Sequence, residues 1–139
     1  MAELQVSHAY NHPPEAVFDA WLDPAKAARF LFATPTGAMV KAEVDPRVGG
    51  RFEFVDRRPD MGDVSHVGEY LEIDRPRRLV FTFAVPQYDP AVTIVTLDFR
   101  PTAGGCEVTL SHTDVLPEWR DQTVQGWTMI LASLETALG

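Results

Sequence analysis

The stretch PEWRDQTVQGWTMILASLETAL, from Pro117 to Leu138, decides the architecture of this chain. Its apolar residues recur at spacings of three and four, which is typical of one face of a long amphipathic helix; they are Val124, Trp127, Leu131, Leu134 and Leu138. A flanking row widens that face: Trp119, Thr123, Gly126, Ile130 and Ala137. So broad an apolar face must pack against a large apolar surface. We therefore predict that a curved sheet grips this helix and that function lies in the space between them.

Alternation with a period of two predicts the strands of that sheet. The last strand is the clearest, with Cys106, Val108, Leu110 and His112 facing inward. Alternation in the first strand likewise predicts that its inward-facing residues are Leu4, Val6, His8 and Tyr10. The other inward residues that alternation predicts are Val40, Ala42, Val44, Phe52, Phe54, Leu79, Phe81, Phe83, Val95, Leu97 and Phe99. The strand over 64–73 alternates less regularly, so the pattern does not decide which of its side chains point inward, and it is compatible with a bulge.

Two short helices are predicted after the first strand. Pro14 suits the first position of a helix, and the segment EAVFDAWL then places Val17, Phe18, Trp21 and Leu22 on one side. Asp23 followed by Pro24 predicts a capped second helix that runs through Phe30.

Proline, glycine and polar clusters predict the connections. The segment DPRVGG, 45–50, is read as a structural turn in which Gly49 and Gly50 permit a positive φ. Loops are predicted over 56–63 and 86–90, and a tight hairpin at 103–105. A run of about seven hairpin-connected strands, with helices near its ends, predicts an α+β fold built on a curved antiparallel sheet around the long C-terminal helix. At 139 residues the chain is expected to form a single domain over 1–139.

Composition narrows the function classes. The net charge of −8 argues against binding to nucleic acid or to an anionic membrane surface. The single cysteine, Cys106, excludes an internal disulfide and a multi-cysteine metal site. No signal peptide or membrane-spanning stretch is visible, so a soluble cytoplasmic protein is expected. Ten arginines against two lysines hint at a GC-rich bacterial genome.

Few residues are candidates for chemistry. Ser7 and His8, like Ser111 and His112, are neighbours in strands, so their side chains point to opposite faces and do not form a nucleophile–base pair. His8 and His112 both face inward and would meet if the first and last strands pair. We favour His112 as a polar anchor for a ligand, with a catalytic role as the weaker alternative, and we expect no metal site and no cofactor.

Four further stretches carry a family resemblance when they are taken in order after VFDAWLDP: DPRVGGRFEF, GEYLEIDRPRRLVFTF, VTLSHTDV and GWTMILASLETAL. In this combination the chain resembles the SRPBCC superfamily, and within it the family related to the C-terminal domain of the activator of heat-shock-protein-90 ATPase. The resemblance implies the helix-grip fold, also called START-like, with a cavity between the sheet and the C-terminal helix. In that fold the cavity commonly takes apolar or amphipathic small molecules.

The leading hypothesis is therefore a protein that binds a small apolar or amphipathic molecule. Its candidate ligand-binding residues are Phe52, Phe54, Phe81, Phe83, Leu97, Leu110 and Trp127, with His112, His8 and Tyr10 as polar anchors. The loops over 56–63 and 86–90 are expected to rim the cavity. One alternative is an enzyme of the cyclase, dehydratase or hydrolase type that uses His112. Another is an interaction module, either a homodimer or a chaperone partner; the chaperone role is doubtful because the resemblance does not include the N-terminal domain of the true co-chaperone.

Overall fold

The computed structural model describes residues 2–30, 38–59, 62–86, 89–115 and 120–138. Seven strands are present: β1 (Ala2–Tyr10), β2 (Ala38–Val44), β3 (Arg51–Arg58), β4 (Gly62–Asp74), β5 (Arg78–Val85), β6 (Asp89–Thr102) and β7 (Gly105–Val115). Three helices accompany them: α1 (Pro14–Leu22), α2 (Pro24–Phe30) and α3 (Arg120–Leu138). None of these helices is long and apolar enough to span a membrane.

The strands form one curved antiparallel sheet in the order β1-β7-β6-β5-β4-β3-β2. Every strand from β2 to β7 pairs with its neighbour in sequence, and β1 joins the free edge of β7. The α+β helix-grip prediction is confirmed, including the two short helices between β1 and β2. The Asp23 carboxylate caps α2 as expected, since its Oδ1 accepts a hydrogen bond from the Ala25 amide at 3.0 Å.

The core lies between the inner face of the sheet and the helices. On α3, Trp127, Leu131 and Leu134 are buried, while Val124 and Leu138 pack partly buried against the same core. The Tyr10 hydroxyl donates a 2.6 Å hydrogen bond to the Leu131 carbonyl and so joins the middle of α3 to β1. Burial raises the pKa of this phenol. The predicted start of the helix at Pro117, and Trp119 with it, lie outside the described residues.

Two strands contain irregularities that change which side chains face inward. In β4 the register shifts between Tyr70 and Glu72, so the bulge is present, and Val64, His66 and Tyr70 are buried. In β2 the register shifts between Met39 and Lys41. Because of that shift, Met39 packs on the core while Val40 is 44% exposed, so the inward prediction for Val40 is wrong.

The loop predicted over 56–63 is also wrong in extent. β3 continues to Arg58, which pairs with Gly62 across a short hairpin. Asp56 lies inside β3 and is fully buried, and its carboxylate accepts a 3.0 Å hydrogen bond from Arg58 Nε on the same face. The predicted loop over 86–90 is shortened as well, since β6 begins at Asp89; 87–88 lie outside the described residues.

The DPRVGG segment is a turn, as predicted. Gly49 has a φ of +84°, a conformation that L side chains rarely adopt. The Gly49 amide donates to the Tyr70 carbonyl, and the Tyr70 amide donates to the Gly50 carbonyl, each at 2.9 Å. These bonds fasten the turn to β4.

Candidate functional site

Polar side chains gather at one end of the inner face of the sheet. β3, β5 and β7 finish at this end, and β4 and β6 start there, because neighbouring strands are antiparallel. The inner-face polar residues that meet at this end are Asp56, Arg58, His66, Thr93 and His112. Apolar side chains make up most of the rest of the inner face, although His8 and Tyr10 on β1 add polar groups there, so the sheet has a polar end and a mostly apolar body.

A cleft of about 320 Å³ opens between this polar end and α3. The sheet contributes Arg58, His66, Phe83 and Val85 to its lining. The helix α3 contributes Thr123, Gly126, Trp127, Met129, Ile130 and Ser133, and α2 adds Phe30. Its size lies at the lower end of the range typical of small-molecule sites.

His112 connects the two walls of the cleft through a directed chain of hydrogen bonds. Trp127 Nε1 lies 3.0 Å from His112 Nδ1, and Thr93 Oγ1 lies 2.6 Å from His112 Nε2. Thr93 Oγ1 also lies 3.1 Å from the Phe83 carbonyl oxygen. An indole N–H only donates and a carbonyl only accepts, so each hydrogen in the chain has a single consistent place.

That chain assigns the tautomer of His112. The imidazole accepts from Trp127 at Nδ1 and donates from Nε2 to Thr93, whose hydroxyl then donates to the Phe83 carbonyl. The ring is therefore neutral and carries its proton on Nε2. Burial lowers the pKa of His112 to about 4, consistent with this assignment.

Packing around His112 is aromatic. The rings of Phe83, His112 and Trp127 form a triangle in which each pair of centroids is 5.8 or 5.9 Å apart and each pair meets edge to face. Such geometry is favourable for aromatic quadrupoles. The arrangement holds the indole of Trp127 in place against the sheet.

His66 is a second buried histidine and lies directly in the cleft wall. Its Nδ1 donates to the Phe54 carbonyl at 3.3 Å, and its ring stacks on Phe83 with centroids 6.2 Å apart. Burial is the main cause that lowers the pKa of His66 to about 4, and the nearby Arg58 adds to that effect. His66 is therefore neutral at pH 7.

The helix wall has open space at Gly126. Gly126 is exposed, and among the residues that the structure describes a Cβ atom built on it would meet no atom within 4 Å apart from its chain neighbours and the backbone of its own helix. Glycine costs about 1 kcal/mol relative to alanine inside a helix, so α3 carries an unfavourable residue where packing does not require one. The open space beside Gly126 belongs to the cleft.

The structure separates the ten ligand-binding candidates into three groups. Phe83 and Trp127 line the cleft, and His112 lies behind Trp127 as its hydrogen-bond partner. Five others are buried in the core and are not among the cleft-lining residues: Phe52, Phe54, Phe81, Leu97 and Leu110. His8 and Tyr10 lie on β1, with their rings 4.6 Å apart, beside the second half of α3.

The pairing of β1 with β7 does not bring His8 and His112 together. Its register places Leu4 opposite His112 and Val108 opposite His8. His8 instead lies 3.8 Å from the Glu135 carboxylate. The described residues contain no group of three His, Cys, Asp or Glu side chains that could hold a metal ion.

Sequence reasoning missed Arg58, His66 and Asp56. Arg58 and Asp56 were assigned to a loop, although they continue the alternation of Phe52 and Phe54 along β3. His66 shares its face with Val64 and Tyr70, so the spacing of two in VSHVGEY contained the signal. The sequence does not decide which side chains of that strand point inward, because Leu71 and Ile73 favour the opposite face.

His112 is poorly placed to act as a general acid or base. Both of its ring nitrogens are hydrogen-bonded to protein groups. The lone pair of Nδ1 is occupied, because the indole of Trp127 can only donate to it. A general base needs a free lone pair directed at the substrate. The arrangement is instead suited to enclosing a molecule between aromatic side chains.

Comparison with known proteins agrees with this fold. A protein of unknown function from Staphylococcus aureus superposes with a TM-score of 0.84 at 16% identity, over 99% of this chain and 93% of that one. A protein from Chromobacterium violaceum gives 0.83 at 23% identity, over 98% and 96%. An AHSA1-like protein from Aeromonas hydrophila gives 0.79 at 25% identity, over 99% and 92%. No curated protein matches the sequence.

The sequence itself matches one family model over residues 11–139, which is nearly the whole chain. That model describes the Activator of Hsp90 ATPase homolog 1-like proteins. Together with the confirmed helix-grip fold, the match shows that the chain belongs to this family.

Proposed function

We propose that this protein binds a small apolar or amphipathic molecule in the cleft between the polar end of the sheet and α3. The family supports a role in ligand binding or in protein interaction. The observation that favours ligand binding is the cleft itself, which is open to solvent at Gly126 and is lined by aromatic and aliphatic side chains from both the sheet and α3.

The size and lining of the cleft support a small ligand. The volume of about 320 Å³ falls within the range of roughly 300–1,000 Å³ that is usual for small-molecule sites. Phe30, Phe83, Trp127 and Ile130 supply apolar contact surface, while Arg58 supplies a charged donor. A mostly apolar pocket with few polar groups is the usual character of a small-molecule site.

Filling the cleft from Gly126 tests the proposal. We expect Gly126→Leu to weaken binding of the fluorescent apolar probe N-phenyl-1-naphthylamine by roughly tenfold or more, since tenfold corresponds to only about 1.4 kcal/mol of lost contacts. The new side chain would occupy open space, so the midpoint of thermal unfolding should stay equal or rise. Fluorescence titration measures the first effect and differential scanning calorimetry the second.

The matched control is Gln125→Leu, which adds a leucine at an exposed position next to Gly126. This variant should bind the probe as the wild type does. Equal probe affinity in all three proteins would contradict a binding site at this place and would leave the interaction-module role of the family as the better explanation.

A further inference from the structure

We propose that the cleft selects uncharged ligands that carry a carbonyl oxygen, and that Arg58 binds this oxygen while the apolar body lies against Phe83, Trp127 and Ile130. This inference rests on the proposed function, because it names the chemical class of ligand for the same cleft. It depends on which hydrogen-bond donors of the cleft remain available and on how its charges balance.

Arg58 is oriented and still has donors to offer. Its Nε donates to Asp56 Oδ2 at 3.0 Å, and its side chain is 23% exposed at the cleft. Within the part of the chain that the structure describes, Nη1 and Nη2 donate no hydrogen bond. A guanidinium has five N–H donors, so four remain after the bond to Asp56.

The two other ring N–H donors of the cleft lining are already committed. The indole N–H of Trp127 points to His112. His66 directs its Nδ1–H to the Phe54 carbonyl. Arg58 is also the only charged residue among the lining residues described. A ligand oxygen in this cleft therefore finds its best donor at the Arg58 guanidinium.

The charge balance favours a neutral oxygen over a carboxylate. Asp56 is fully buried and already compensates the charge of Arg58. His66 and His112 are both neutral at pH 7 and supply no further positive charge. A ligand carboxylate would add an uncompensated negative charge next to the buried Asp56, which is costly in a region of low dielectric constant. The net charge of −8 over the whole chain opposes an anion as well.

A carbonyl group satisfies both the need for an acceptor at Arg58 and the need for a ligand without charge. It accepts hydrogen bonds without adding charge, and its removal from water is compensated when a charged donor binds it. A purely hydrocarbon ligand would instead bury the Arg58 N–H groups without a partner, which costs free energy.

Three naphthalene probes of similar size separate these cases: methyl 2-naphthyl ketone, 2-isopropylnaphthalene and 2-naphthoate. Each competes with N-phenyl-1-naphthylamine for the wild-type protein and for variants. The informative quantity is the affinity of the ketone divided by that of the hydrocarbon, because this ratio removes the general hydrophobic contribution. Arg58→Met should lower the ratio by roughly ten- to hundredfold, the value of one hydrogen bond to a charged donor.

Two further variants keep the experiment interpretable. Arg58→Met removes the arginine that binds the buried Asp56 carboxylate and is expected to destabilise the fold. Asp56→Asn combined with Arg58→Met removes both charges together. Arg57→Met is the matched control, since Arg57 lies one residue earlier on the outer face of β3 with its side chain 62% exposed. Arg57→Met should leave the ratio unchanged.

We expect the ketone to bind the wild type more tightly than the carboxylate, and the ratio to fall only when Arg58 is replaced. The same ratio in the wild type and in the double variant would overturn the inference while leaving the proposed binding site intact. Preferential binding of 2-naphthoate that depends on Arg58 would overturn it in favour of an anionic ligand. Absence of probe binding to the wild type would overturn both the inference and the proposed function.

Discussion

His66 and His112 are each nearly inaccessible to solvent, with 6% and 3% of their surface exposed. Their hydrogen bonds use the neutral imidazole, and in His112 a proton on Nδ1 would break the bond from Trp127. Proton uptake by either ring therefore favours the unfolded chain, in which the imidazoles are hydrated. At the scale of single residues, this makes the stability of the protein depend on pH.

We predict that the free energy of unfolding decreases as the pH falls from 7 to 5. Both histidines have a folded pKa of about 4, below the ordinary value of 6.5. Their stabilising contribution is therefore present above pH 6.5 and is lost as the pH falls towards 4. The expected loss is about 2 kcal/mol for each histidine between pH 7 and pH 5. Urea unfolding at several pH values measures it.

Between pH 7 and pH 5, the contribution of the histidines to stability can be distinguished from that of the paired carboxylates. Hydrogen bonds from Arg75 and Arg57 lower the pKa of Asp19 and Asp63 below the ordinary value of 3.8, so their effect begins below pH 5. Replacing both His66 and His112 by glutamine should flatten the curve between pH 7 and 5. An unchanged slope in that double variant would disprove the assignment.

At the scale of the elements, the packing of β4 against its two neighbouring strands depends on a glycine. Gly68 lies opposite Phe52 on β3. A Cβ atom at this position would overlap the Thr82 carbonyl oxygen on β5 and the Phe52 ring. The two neighbouring strands therefore approach β4 more closely here than any side chain would allow.

Gly68→Ala should consequently lower stability by about 1–3 kcal/mol, the usual cost of overpacking a tight site. Gly104→Ala in the β6–β7 hairpin is the matched control, because a Cβ atom there would meet nothing within 4 Å. We expect the control to be neutral or slightly stabilising, since alanine restricts the unfolded chain. Equal effects of the two substitutions, measured by thermal unfolding, would show that the close approach at Gly68 is absent.

Over the whole molecule, Trp127 joins the two layers of the fold. Its ring is 3% exposed and contacts Phe83 on β5, and its N–H reaches His112 on β7. One side chain thus links α3 to two strands and also closes one side of the cleft.

Trp127→Ala should cost about 3–5 kcal/mol of stability and weaken binding of the naphthyl probes at the same time. Met129→Ala on the same helix is the control for stability alone, since Met129 lines the cleft but is 55% exposed and its loss should change stability by at most about 0.5 kcal/mol. A Trp127→Ala protein as stable as the wild type would contradict the packing of α3 against the sheet.

Local patterns were sufficient for most of the fold. The spacing of Trp127, Leu131 and Leu134 identified the buried face of α3, and the alternation from Cys106 to His112 identified the inner face of β7. Both patterns depend only on the period of one element, so they can be read without knowing its neighbours. They do not reveal bulges, which is why Val40 was assigned to the wrong side.

The sequence alone therefore determined the strand and helix order, the family, and the buried apolar face of most elements, with β2 and β4 as exceptions because of their bulges. Only the tertiary structure decided the composition of the polar end of the sheet beside the cleft. Asp56, Arg58, His66, Thr93 and His112 come from four strands, and each strand contributes only one or two of them. They meet because antiparallel register aligns the ends of β3, β4, β6 and β7, and register is a property of pairs of strands that no single strand's pattern contains.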